Sequence, residues 1–126
     1  AMALMLGTND VKARFGATAE KVAAGIAGLL DIALSDEMQA RHGGFRVLVI
    51  CPPPVAEVGP FAGEFLGARA VSLALPPLYA RLAEARGCGF LDAGTVIAAS
   101  PVDGLHYEAA AHRALGQAVA AAVAAL

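Results

Sequence analysis

Three mostly apolar runs recur along the chain, each short and without alternation of apolar and polar positions. They lie at residues 1–6, 45–50 and 89–93. A continuous apolar run is typical of a strand that helices cover on both faces. The first run ends at Gly7-Thr8-Asn9-Asp10 and the second is followed by Pro52-Pro53-Pro54, where proline lacks the N–H that a ladder needs. The pattern predicts three β-strands, the first of them buried on both faces.

Between the runs, apolar residues recur at the three- and four-residue spacing of a helix face. The first such stretch begins after Thr18, a favourable N-cap, and continues to Gly43-Gly44, which predicts one helix of about 22 residues. The second covers residues 61–86 and contains Pro76-Pro77. Because proline clashes with the preceding helical turn, we expect a break near Leu75 and a new helix with one of these prolines in its first turn.

A final, alanine-rich helix is expected from about Tyr107, so that strands and helices alternate along the chain. This alternation predicts right-handed crossovers and a three-layer α/β fold, in which a parallel sheet carries helices on both faces. In such open sheets, ligands bind beyond the carboxyl ends of the strands. Asn9 and the turn at residues 103–106 both fall in loops of this kind, so we expect them to converge on one site.

Composition and charge narrow the range of partners. A chain of 126 residues with 58% apolar residues fits one domain with a sizeable core. Its apolar runs are too short to cross a membrane, and we expect a soluble, cytoplasmic protein, with a periplasmic or secreted location left open. The net charge of −2 comes without a cluster of lysines or arginines. We therefore expect neither nucleic acid nor a membrane as a partner.

The two cysteines, Cys51 and Cys88, lie at the end of one predicted strand and the start of another. Neither has metal-site spacing to a histidine, and a structural zinc site needs more ligands. We expect two reduced, buried thiols, and a disulfide between them stays open. The sequence indicates no metal and no organic cofactor.

The candidate chemistry lies in Asp103 and His106, which are three residues apart and fit one turn. A carboxylate in this position can hold an imidazole in one tautomer and leave its other nitrogen free as a general base. Taken alone, the pair of Asn9 and Asp10 after a glycine is most often a plain turn, and a single histidine is often structural. We read His42 and His112 as structural or solvated.

No serine in the sequence has the setting of a nucleophile. Ser35 falls inside the first predicted helix, Ser72 precedes Pro76, and Ser100 precedes Pro101 without a glycine-bearing elbow. The Gly-x-Ser-x-Gly elbow of the α/β-hydrolases is also missing.

Two blocks in this order resemble a known family. Gly7-Thr8-Asn9-Asp10 is similar to the third conserved block of the SGNH (GDSL-type) hydrolases, and Asp103-Gly104-Leu105-His106 is similar to their fifth, Asp-x-x-His. Over the whole chain, the pattern resembles the bacterial arylesterase and acyltransferase branch. The resemblance implies a flavodoxin-like sheet, with Asn9 as oxyanion donor, His106 as general base and Asp103 as its orienting carboxylate.

The family's first block, Gly-Asp-Ser, which carries the nucleophile, is not found in the sequence. By this resemblance, residues 1–126 are expected to be the C-terminal part of a single SGNH hydrolase domain, holding its last three strands. The nucleophilic serine would come from an N-terminal segment or a companion chain, the substrate would be a small ester, and a homo-oligomer is possible. The chain alone is expected to be inactive. The alternative is a non-catalytic fragment or pseudoenzyme module that binds a partner through its open sheet edge.

Overall fold

Strand β2 (Val47–Cys51) lies at the centre of a parallel sheet in a computed structural model that describes all residues, 1–126. Strand β1 (Met2–Met5) pairs with one edge of β2 and strand β3 (Gly89–Asp92) with the other. The register places Leu4 opposite Val49, and Val49 opposite Phe90. All five residues of β2 are buried, as a strand with neighbours on both sides requires. The predicted three parallel strands are confirmed.

Five α-helices connect and follow the strands: α1 (Ala19–Ala33), α2 (Asp36–Arg41), α3 (Ala68–Leu73), α4 (Leu75–Ala85) and α5 (Ala109–Ala124). Short 3-10 helices occupy Ala13–Phe15, Gly59–Phe65 and Ala93–Thr95. The break before Pro76-Pro77 is confirmed, because α4 begins at Leu75 with proline in its first turn. The final helix begins at Ala109, two residues later than predicted.

The prediction of one continuous helix from residue 19 to the Gly43-Gly44 pair is wrong. The chain leaves the helix at Leu34, and Ser35 caps the start of α2 by accepting a hydrogen bond from the N–H of Met38. The same hydroxyl donates to the carbonyl of Ile32 at 2.8 Å. Serine hydroxyls compete with the helical ladder for backbone groups in this way, so Ser35 is a cap and not an interior helical residue.

The second helical pattern also divides earlier than predicted. Residues 59–65 form a 3-10 helix, and Gly67 then adopts φ +78° before α3 begins. Only glycine enters this left-handed region without strain. The segment that follows the proline-rich loop is therefore a set of short turns, which the periodicity alone did not distinguish from a helix.

The two faces of the sheet are covered unequally. Helices α1 and α4 pack on one face, where 15 buried residues form the main core around Tyr79, Phe65 and Leu30. On the other face α5 packs against β3, and the buried cluster there has four residues: Leu48, Ile50, Ala93 and Ile97. None of the residues of α5 is fully buried. No helix of the chain combines the length and the hydrophobicity that a bilayer crossing needs.

Strand β1 departs from the expected burial on both faces. Ala3 is exposed, and Met2, Leu4 and Met5 are only half-buried. The cause is that α5 packs against β3, the strand at the opposite edge of the sheet. In addition, the outer edge of β1 pairs with no strand.

Cys51 and Cys88 are both free thiols. Burial, with a smaller contribution from the charge of Asp92, raises the pKa of Cys51 to about 12, so this thiol stays protonated and behaves as a small apolar residue.

Candidate active site

Asp103 holds His106 within a single turn between β3 and α5. One carboxylate oxygen, Oδ2, lies 2.6 Å from Nδ1 of the imidazole. The other, Oδ1, accepts hydrogen bonds from the backbone N–H groups of Leu105 at 2.9 Å and His106 at 3.0 Å. The His106 contact, followed by these two N–H groups, lowers the pKa of Asp103 to about 2. The carboxylate is therefore ionised at neutral pH.

An ionised carboxylate can only accept hydrogen bonds, so Nδ1 of His106 must carry the proton in this pair. In the neutral imidazole, Nε2 is then the unprotonated nitrogen and can accept a proton from a substrate or a nucleophile. The ring is largely exposed, and its neighbour is Phe61, which meets it edge-on with ring centroids 6.2 Å apart. The geometry is that of an oriented general base.

Two glycines allow the turn to lie directly on the loop that follows β2. Gly104 has φ +74°, and a Cβ there would collide with the carbonyl of Ala56. Gly59 has φ +70°, and a Cβ there would collide with the carbonyl of Val102. The N–H of Ala56 donates to the carbonyl of Gly104 at 2.9 Å. Backbone packs on backbone here, which fixes the height of the turn above the sheet.

The loop after β1 presents Asn9. Gly7 is buried with φ +129°, and the N–H of Asp10 donates to its carbonyl at 3.1 Å. The carbonyl of Asn9 accepts from the N–H of Lys12 at 3.3 Å, which closes a second turn. Asn9 itself is exposed at the carboxyl end of β1, so its amide is available to a ligand.

Asn9 and His106 line one cavity of about 460 Å³. Its other lining residues are Thr8, Lys12, Phe61, Glu64, Phe65, Leu105, Tyr107 and His112. The convergence expected from the strand order is therefore present: residues distant in sequence meet at the carboxyl edge of the sheet. Asp103 supports this cavity from behind His106, while Asp10 and Asp92 do not line it.

Several of these residues were not predicted. Lys12 forms an ion pair with Glu64 at 3.4 Å and lies over the ring of Phe65, joining the loop after β1 to the 3-10 helix Gly59–Phe65. No local pattern signals such a pair, since its members belong to separate elements.

His112, which the sequence predicts to be structural or solvated, is an exposed residue of α5. It lies in the cavity wall, edge-on to Tyr107 with ring centroids 5.5 Å apart. The sequence signal for its place at the cavity is that His112 lies in the first turn of α5. This helix follows directly after the Asp103–His106 turn, which lies at the carboxyl ends of the strands.

Solved bacterial esterases superpose on almost the whole chain. An aryl esterase from M. smegmatis matches with a TM-score of 0.90 and 36% identity over 99% of this chain. A carbohydrate acetylesterase from Sinorhizobium meliloti gives 0.90 and 36% over 98%, and a putative arylesterase from Agrobacterium tumefaciens gives 0.82 and 41% over 95%. These are structures of the SGNH hydrolase fold. The chain has this fold. The resemblance seen in the two sequence blocks is thereby confirmed.

The SGNH hydrolase fold is only partly spanned by these residues. The chain covers 60% of the M. smegmatis and S. meliloti enzymes and 58% of the A. tumefaciens protein. In sequence comparisons, no family model matches it, and no curated protein does.

None of the three serines of the chain lines the cavity. Ser35 caps α2, and Ser72 is buried between the N–H of Val55 at 3.1 Å and the carbonyl of Arg69 at 2.9 Å. Ser100 donates to the carboxylate of Glu108. Each hydroxyl is thus engaged in holding a loop or a helix end. The chain also contains no group of three His, Cys, Asp or Glu side chains arranged to hold a metal ion.

Proposed function

We propose that this chain supplies the general base and one oxyanion donor of a serine ester hydrolase. The observation that carries the proposal is the 2.6 Å contact between Asp103 Oδ2 and His106 Nδ1 at a cavity that Asn9 also lines. A carboxylate, an imidazole and an amide donor around one cavity are the groups that acyl transfer requires, apart from the nucleophile.

In the proposed reaction, a serine hydroxyl outside residues 1–126 attacks the ester carbonyl while Nε2 of His106 takes its proton. The carbonyl oxygen becomes an oxyanion and accepts a hydrogen bond from the side-chain amide of Asn9. The tetrahedral intermediate then collapses, and the alcohol leaves with the proton from His106. A water or a second alcohol, deprotonated by His106, then attacks the acyl-enzyme. The second tetrahedral intermediate collapses with release of the acid or a new ester, and His106 returns the proton to the departing serine oxygen. Asp103 stabilises the imidazolium in both steps.

The lining of the cavity and the structural neighbours support a small ester as substrate. Phe61 gives the cavity an aromatic surface beside His106. We propose short-chain acyl groups on aryl or other alcohols as substrates. The neighbours described as an aryl esterase and a carbohydrate acetylesterase support this range.

We further propose that the nucleophile belongs to a segment or companion chain that pairs with the free edge of β1. Ala3 is exposed and the outer edge of β1 pairs with no strand. An uncovered parallel edge invites strand addition. The same partner would cover the half-buried residues of β1.

The test compares residues 1–126 alone with the complete protein, using p-nitrophenyl acetate hydrolysis and labelling by a fluorophosphonate. We expect hydrolysis and one labelled serine in the complete protein, and neither in residues 1–126. A folded, monomeric and active 126-residue chain would contradict the separate nucleophile, and a complete protein without a labelled serine would contradict the serine mechanism.

The second candidate is a non-catalytic module that binds a partner through the same edge. It is favoured by the absence of a serine at the cavity among the chain's residues. In that case, intact-mass and pull-down measurements would identify a stable partner, no fluorophosphonate would be incorporated, and replacement of His106 would leave partner binding unchanged.

A further inference from the structure

Ser100 occupies the base of the turn that carries Asp103 and His106. It is 5% exposed, although serine is mostly found at protein surfaces. Its N–H donates to the carbonyl of His106 at 2.7 Å, and its carbonyl accepts from the N–H of Gly104 at 2.8 Å. One residue thus closes the turn from both sides through its backbone.

The hydroxyl of Ser100 adds two further contacts. It accepts from the N–H of Val102 at 3.2 Å and donates to Oε1 of Glu108 at 2.5 Å. A hydroxyl donating to a carboxylate at this distance is a charge-assisted hydrogen bond, about twice as strong as a neutral one. The donor and acceptor capacities of the hydroxyl are both in use.

Glu108 is the N-cap residue of α5, yet its side chain makes no capping hydrogen bond. Serine, threonine, aspartate and asparagine are the usual residues at this position. Instead of capping the helix, the carboxylate points back to Ser100. The start of α5, which brings Tyr107 and His112 to the cavity, is thereby joined to the turn that holds His106.

We propose that Ser100 and Glu108 form a positioning pair that sets the place of His106 relative to the cavity. The inference rests on the proposed esterase function and adds residues to it that neither touch substrate nor transfer protons. Loss of the side-chain contact would leave the two backbone hydrogen bonds of Ser100 in place, so the turn would persist with greater freedom. Catalysis is sensitive to displacements of about 1 Å at the reacting groups.

The test uses the complete protein and compares Ser100→Ala with Ser35→Ala. The latter is a matched control, because it also removes a serine hydroxyl that accepts from a backbone N–H but belongs to a helix cap outside the cavity. We expect Ser100→Ala to lower kcat about tenfold with KM within twofold of its original value. Ser35→Ala should lower the melting temperature and leave kcat per folded molecule unchanged, and Ser100→Thr, which keeps the hydroxyl, should restore most of the lost rate.

Glu108→Ala removes the same hydrogen bond from an exposed residue, so it tests the pair even when Ser100→Ala does not fold. We expect the double variant to be no slower than Ser100→Ala, because both substitutions remove the same Ser100–Glu108 contact, and Ser100→Ala alone also removes the contact to the N–H of Val102. Additive losses, or a kcat within twofold of the original in both single variants, would overturn the proposal.

A second readout does not depend on turnover. The Nδ1 proton of His106, followed by NMR, should broaden in Ser100→Ala and Glu108→Ala but not in Ser35→Ala. Equal line widths in all variants would argue against positioning. An inactive but folded parent protein would count against the proposed function, and the NMR comparison would still decide whether the pair holds His106.

Discussion

The hydroxyl of Tyr79 donates a hydrogen bond to the carbonyl oxygen of Leu6 at 3.0 Å. Tyr79 is a fully buried residue of α4, and its pKa is raised by burial and, to a smaller extent, by the nearby charge of Asp10. A Cβ on Gly7 would meet the same hydroxyl. Helix α4 therefore holds the backbone that leads into the Asn9 loop, and it does so from the core.

The first prediction concerns this contact. Tyr79→Phe should lower the free energy of unfolding by about 0.5–1.5 kcal/mol, the net contribution of one hydrogen bond, as measured by urea denaturation. Gly7→Ala should cost more, since an added side chain meets both a positive φ and the Tyr79 hydroxyl. If Gly7→Ala were the milder of the two, the close approach of residue 7 to the Tyr79 hydroxyl would not constrain this loop.

Asn9→Ala should reduce kcat of the complete protein by about 10²–10³ with little change in KM, because an oxyanion donor acts mainly in the transition state. The measurement is steady-state hydrolysis normalised to folded protein, together with the melting temperature. A lower melting temperature with unaltered kcat would make Asn9 a turn residue only.

Asp103→Asn should keep the fold and lower kcat steeply, by up to about 10⁴ as for the equivalent change in serine proteases. An asparagine amide can donate toward Nδ1 and so favour the wrong tautomer of His106. Circular dichroism checks the fold and initial rates give the loss. A decrease smaller than about threefold would show that Asp103 acts only through its backbone contacts, against the role inferred by analogy with those proteases.

The low pKa of Asp103 gives a pH signature of stability. The folded value of about 2 lies below the ordinary value of 3.8, so the carboxylate contacts stabilise the folded state fully above the ordinary value. The contribution is lost as the pH falls through the folded pKa. The difference in unfolding free energy between the parent and Asp103→Asn should therefore shrink between about pH 4 and pH 2, as denaturant titrations at several pH values would reveal. A difference that stays constant over this range would argue that the turn does not depend on the charged carboxylate.

Local sequence features predicted the parts of this molecule that local physics determines. The apolar run of β2 predicts a buried strand, Pro76-Pro77 predict the start of a helix, and the spacing of Asp103 and His106 fits one turn. The periodicity of α1 continues across Ser35, however, and only the hydroxyl contacts of that residue end the helix. The Ser35 hydroxyl competes with the helical hydrogen bonds for backbone groups, and the spacing of apolar residues carries no information about this competition.

The residues of the cavity wall could not be predicted from the sequence, for a different reason. Lys12 and Glu64 meet only because separate loops fold over the same strand ends. The predicted burial of β1 is too high. An apolar run shows that other elements can pack on a strand, but whether they do so depends on where those elements lie in the fold. Site residues that share one turn can thus be predicted from the sequence. Contacts between residues of different elements become visible only in the folded structure.

The backbone contact at Gly59 and Gly104 divides the region around His106 into a part that cannot vary and a part that can. A side chain does not fit at either glycine. Phe61 and Glu64, which follow Gly59 by two and five residues, line the cavity. Under the proposed esterase function, saturation libraries at Phe61 and Glu64 would therefore alter the lining of the cavity, while Gly59 and Gly104 keep the backbone of the His106 turn in place. For an engineer, the cavity lining is the part of this region open to substitution, and the two glycines are the part to leave unchanged.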